Sequence, residues 1–158
     1  ILSGLVGSEM CIRDSTRIAT MKYCNDASTI VHSHLGIRDH HHYIAHSQPD
    51  ELITLNQFFM SQLAYLCERM SKVREGDRTL LDNSTILHCS SMLHGNHDSK
   101  QLPVVLLGGA GGHLRGGRVL DYLEKPNRRM CSLFLSVMDW GGLKLDRFND
   151  SSERLPGV

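Results

Sequence analysis

Apolar residues recur at steps of three and four through Leu52, Leu55, Phe59, Leu63, Leu66, Met70 and Val73. That spacing lays them along one stripe of a helix and predicts an amphipathic helix from Asp50 to Arg74. Pro49 stands just outside its start, and Asp50 and Glu51 occupy the first turn, where acids complement the helix dipole. Glu75-Gly76-Asp77 ends it. Elsewhere the pattern changes. Arg17 to Tyr23 is β-branched and aromatic and reads as a strand, as does Thr85 to Ser90. Pro103-Val104-Val105-Leu106-Leu107 is continuously apolar, the pattern of a strand buried on both faces. Asn25 to His46 is polar and histidine-rich without a helical period, and reads as a long loop; Ser91 to Gln101 reads as another. Asn127 offers an N-cap for a last helix through Met130, Leu133, Phe134, Val137 and Met138, with Gly141 at its end. The order strand, loop, helix, strand, loop, strand, loop, helix predicts an α/β layered domain.

The chain has 158 residues, enough for one domain with a core. Lys plus Arg and Asp plus Glu each number 17, so the formal net charge is +0. This balance argues against a nucleic-acid partner, which calls for a basic excess. No apolar run approaches the roughly 20 residues that span a bilayer. Cys11, Cys24, Cys67, Cys89 and Cys131 are scattered with no C-x-x-C pair, which excludes a zinc ribbon or a thioredoxin-type motif. Residues 1–15 have no initiator Met and lack the basic start and apolar length of a signal peptide. Val6-Gly7-Ser8-Glu9-Met10-Cys11-Ile12-Arg13-Asp14-Ser15 resembles translated sequencing-adapter read-through. On this reading residues 1–15 are not native, and 16–158 are the C-terminal part of one α/β domain whose N-terminal portion is missing.

Four of the 10 histidines fall within His40-His41-His42-Tyr43-Ile44-Ala45-His46. Imidazole is the commonest metal ligand and titrates near neutrality, so the cluster points to a metal or acid–base site. His42 and His46, spaced i,i+4, share a face if helical and are candidate ligands for zinc or another divalent ion. The plain alternatives are a solvated loop or a histidine that caps a helix. His97 and Asp98 sit between two predicted strands, where Asp98 can ligate or can orient an imidazole. His94 and Asn96 lie close by. Gly108-Gly109-Ala110-Gly111-Gly112 follows a strand but lacks the P-loop Lys-Ser/Thr, so it reads as a sharp turn. Ser90 and Ser91 lie in no G-x-S-x-G elbow.

Several blocks carry a resemblance. They are Thr16-Arg17-Ile18-Ala19-Thr20, His41-His42-Tyr43-Ile44-Ala45-His46-Ser47 and Leu80-Leu81-Asp82-Asn83-Ser84-Thr85-Ile86-Leu87, then Gly95-Asn96-His97 and the stretch from Leu102 to Gly112. In this order they resemble the C-terminal part of a bacterial family of unknown function named for an H-x-x-S-H-H motif. Ala45 and Ser47 stand where that motif has Ser and His. The family is similar to the alkaline phosphatase and sulfatase superfamily. The resemblance implies a large α/β sandwich, a mostly parallel sheet with flanking helices, and an exported or periplasmic protein. It also implies metal-dependent hydrolysis of phosphate or sulfate esters, with a small-molecule ester as substrate. His42, His46 and His97 would be metal ligands, zinc first among the metals, or would polarise the ester oxygen. The superfamily's nucleophile and first metal carboxylates would lie upstream of this chain, so the chain alone is expected to be inactive. The superfamily's Asp-His pair is replaced here by Ser90-Ser91-Met92, which favours the alternative of a non-catalytic metal- or ligand-binding domain on the same fold.

Overall fold

A computed structural model describes residues 17–158. The adapter-like residues 1–15 and Thr16 lie outside the described residues. In chain order come helices α1 (His41–Ser47) and α2 (Pro49–Ser71), strands β1 (Arg74–Glu75) and β2 (Arg78–Thr79), helix α3 (Leu80–Asn83), strands β3 (Ile86–Cys89) and β4 (Val104–Leu107), and helix α4 (Met130–Trp140). Single 3₁₀ turns occupy Ser33–Leu35 and Ala110–Gly112.

The long helix forms where the apolar stripe predicts it. Pro49 takes the first helical turn, where its missing N–H costs nothing. Leu55, Phe59 and Leu63 are buried at successive i,i+4 positions. The helix stops at Ser71, short of the predicted Arg74, because Arg74 and Glu75 enter a hairpin with Arg78 and Thr79. Gly76 turns that hairpin at φ +62°. Ile37 and Ile44 join Leu55 and Phe59 in the core, with Tyr23 stacked on Phe59 at 4.8 Å between centroids. Fully burying a side chain such as Ile44 or Leu55 contributes about 1.5–3 kcal/mol.

The parallel α/β sandwich does not form. Among the described residues the strands make two two-stranded antiparallel sheets, β1–β2 and β3–β4, and the fold is mostly helical. The reason lies in the connection. Parallel neighbours need a crossover, usually a helix, between them. Residues 90–103 between β3 and β4 contain none, so the chain doubles back and pairs Ile86 with Leu107 and Cys89 with Val104. Nor does Arg17 to Tyr23 form a strand, and Ile18 and Met21 are exposed. The predicted loop from Asn25 to His46 contains α1 instead.

Glycines set the seam between the hairpin and α3. A Cβ on Gly108, at φ +93°, would lie 2.2 Å from the Ser84 carbonyl oxygen, and one on Gly109 would lie 2.4 Å from that of Asp82. The glycine run is a close-packed turn, as its lack of a phosphate-loop Lys predicts.

Helix α4 holds the C-terminal segment. Ser132 and Ser151, both buried, bond hydroxyl to hydroxyl, and Asn127 Oδ1 accepts the Ser132 hydroxyl at 2.8 Å. Asn127 thus serves a hydroxyl inside the helix, and Arg129 takes the cap position. Arg154 grips Asp139 with two N–H donors, each at 2.9 Å, and a third bond runs to the Leu145 carbonyl at 2.7 Å. This fork holds the Asp139 carboxyl below its usual range.

Candidate functional site

Helix α1 positions the first imidazoles. His40 is its N-cap: Nδ1 accepts the Tyr43 N–H at 3.2 Å, a task usually given to Ser, Thr, Asp or Asn. One buried residue, Ile44, turns inward. His42 and His46 then stand one turn apart, with ring centroids 4.7 Å apart and edge to face. The loop 91–98 brings His97 onto the same spot, its ring 5.1 Å from that of His46. Thus all three predicted histidines meet, from two segments separated in sequence.

Two details hold this arrangement. Gly95 lies so close to α1 that a Cβ there would sit 2.1 Å from the Ala45 carbonyl oxygen and 3.0 Å from His46 Cα. His97 adopts φ +64°, a left-handed backbone that histidine enters more readily than most residues and that still carries strain. The turn is tied by the His97 N–H to the His94 carbonyl at 3.1 Å.

The tautomers follow from the partners. The Asp26 carbonyl can only accept, so His42 Nδ1, at 2.9 Å, carries the proton. In the neutral ring that leaves Nε2 with its lone pair free. The same device orients imidazoles that ligate metals or take protons. His94 is the reverse: its Nδ1 accepts the Asn96 N–H at 3.1 Å, so Nε2 bears the proton. His41 borders the same cavity as these rings, and its Nε2 lies 3.8 Å from Cys24 Sγ. Burial pushes its imidazole below the ordinary range and pushes the Cys24 thiol up. Both shifts favour the neutral forms, so this pair is not a thiolate–imidazolium dyad.

Asp26 is the residue that sequence reading misses. Its carbonyl fixes His42, and its carboxylate accepts the Ser91 hydroxyl at 2.8 Å, tying the start of the chain to the loop after β3. A polar turn at Asn25-Asp26 gives no hint of this. Asp98 takes no such part. Its carboxylate accepts the Lys100 N–H at 2.8 Å, and it does not line the cavity.

Asp26, His42, His46, His94 and His97 line a cavity of about 140 Å³. At roughly 30 Å³ per water that is room for about four waters or one small oxyanion. A structural zinc takes four donors and a catalytic one at least three from the protein. Among the described residues no group of three or more His, Cys, Asp or Glu is arranged to hold one ion. Among the described residues the imidazoles do not close a metal cage by themselves; they can act as hydrogen-bond donors and proton acceptors. No helix among the described residues is long and apolar enough to cross a membrane. Comparison with protein-family models, with curated proteins and with solved structures finds no match for this chain.

Proposed function

We propose that this cavity is the imidazole-bearing part of a hydrolytic site for phosphate or sulfate esters. The observation behind the reading is the meeting of His42, His46 and His97 at one small cavity, with the His42 proton fixed on Nδ1. The free Nε2 of His42 is suited to take a proton from an attacking water. The rings of His46 and His97 are suited to donate N–H bonds to the ester's non-bridging oxygens, more strongly when protonated. A general base so placed is worth about 10²–10⁴ in rate.

The second reading is a ligand-binding domain without turnover. It is favoured by Ser91, whose hydroxyl is bonded to Asp26 and not to an imidazole, so no nucleophile–base pair forms there. Inorganic phosphate titrated into the full chain, followed by histidine ring NMR, tests the oxyanion site common to both. Saturable, concerted shifts of His42, His46 and His97, lost in His46→Ala, are expected. Phosphate that moves none of the three, or that moves all histidines alike without saturation, would refute it. Turnover of an aryl phosphate or aryl sulfate then separates hydrolysis from binding.

A further inference from the structure

A second cavity, of about 750 Å³, lies between β4, residues 114–123 and α4. Its wall includes Val104, Val105 and Leu106 in succession. Successive strand residues point to opposite faces, so a cavity touching all three follows the edge of β4 and not one face. The other edge of β4 is occupied by β3, and no further strand pairs with β4 among the described residues. The free edge therefore offers a row of amides and carbonyls without ladder partners. Val104-Val105-Leu106-Leu107 contains no Lys, no Pro and no bulge, and the guards it does have are its four-residue length and Pro103 just before it.

The opposite wall is held in place although it has no regular structure. Arg118 Nη1 donates to the Gly157 carbonyl at 2.7 Å, and the Tyr122 hydroxyl donates to the Pro156 carbonyl at 2.6 Å. Leu120 and Leu123 line the cleft from this wall and remain exposed. The rim is one-sided in charge. Lys100, Arg115, Arg118, Arg128 and Arg129 line it against one carboxylate side chain, Asp121. Of these five cations, only Arg129 has a carboxylate in ion-pair range among the described residues, Asp150 at 4.0 Å.

We propose that this cleft binds an extended peptide strand, apolar at its centre and acidic at its ends, that adds to the free edge of β4. Backbone bonds to the edge would supply affinity, alternate apolar side chains would fill the cleft, and the flanking acids would meet the rim. A compact apolar ligand of the same volume would leave the edge groups unpaired.

The test uses the full chain and three fluorescent peptides. One has alternating Val and Thr flanked by Glu, one has the same core flanked by Lys, and one is Glu-flanked with Pro at the centre. The Glu-flanked strand is expected to bind at least about tenfold more tightly than either control. It is also expected to slow amide exchange within residues 104–107. Lys100→Gln/Arg115→Gln removes two rim cations for which no hydrogen bond is formed by the side chain among the described residues, and it should weaken binding by several fold while leaving the unfolding midpoint in place. Equal binding of the Glu- and Lys-flanked peptides, binding of the Pro peptide, or no binding of any would overturn the proposal. So would a concentration-dependent dimer that protects residues 104–107 without peptide, since a second copy would then fill the cleft.

Discussion

Gly95→Ala isolates the contact on which the histidine site depends. The new Cβ would lie 2.1 Å from the Ala45 carbonyl oxygen, where ordinary contact begins near 3.4 Å. The neighbour is helix backbone, held at Ala45 by the flanking bonds of α1, so the loop has to retreat by about 1 Å. Gly95 does not have positive φ, so the clash is steric and not conformational. Overpacking of this kind costs about 1–3 kcal/mol, against a gain of roughly 0.4–1 kcal/mol from the stiffer unfolded chain, for a net loss of up to about 2.6 kcal/mol. Gly116→Ala is the control: it has no neighbour within 4 Å and no positive φ, and should be neutral or slightly stabilising. Urea unfolding measures the cost, and NMR cross-peaks between the His46 and His97 rings measure the separation. In Gly95→Ala the cross-peaks should weaken or vanish and phosphate binding should fall. Unchanged stability with the cross-peaks intact would show that the loop does not rest on α1 as described.

Three more expectations follow from the same contacts. Burial holds His41 and His32 below the ordinary imidazole range, so the unfolded chain binds more protons than the folded one between the two pKa values. Their contribution to stability is complete above the unfolded pKa of about 6.5 and is lost as pH falls through it toward the folded values; the urea midpoint should drop on acidification and His41→Gln should flatten part of that drop, while a midpoint that rises in acid contradicts it. Leu55→Ala, at a fully buried position, should cost about 2–5 kcal/mol by thermal or urea unfolding, and a loss under 1 kcal/mol would mean that the α1–α2 core is not packed as described. Zinc titrated into the full chain should bind weakly and in fast exchange at His42 and His46, because the cluster supplies fewer donors than a closed site; stoichiometric zinc retained through gel filtration would contradict this.

The parts of the fold that were legible are those whose signal is local. The stripe from Leu52 to Leu66 fixes α2 by period alone, and the apolar runs mark β3 and β4. Helix α1 was not legible, since it buries a single residue, Ile44, and is capped by His40. The sheet is not legible because a continuously apolar strand such as β4 suits a parallel sheet, and only the course of residues 90–103 decides the direction of pairing. At the site, histidine spacing was enough to nominate His42, His46 and His97. Asp98 shared their neighbourhood in sequence but is spent on its own turn. Asp26 was invisible because its role depends on contacts with His42 and Ser91, far away in the chain.

The C-terminal stretch from Leu143 to Val158 has no helix or strand, yet side-chain bonds tie it to α4. The double bond of Arg154 to Asp139 and the buried hydroxyl pair of Ser132 and Ser151 bind it to α4. The consequence concerns proteases. Trypsin needs an extended, accessible Arg, and Arg154 has its guanidinium committed to the helix. Cleavage there must wait for the segment to peel away, whereas the exposed Arg17 meets no such delay. Around Arg154 the irregular end of this chain therefore opens only when these bonds to α4 break.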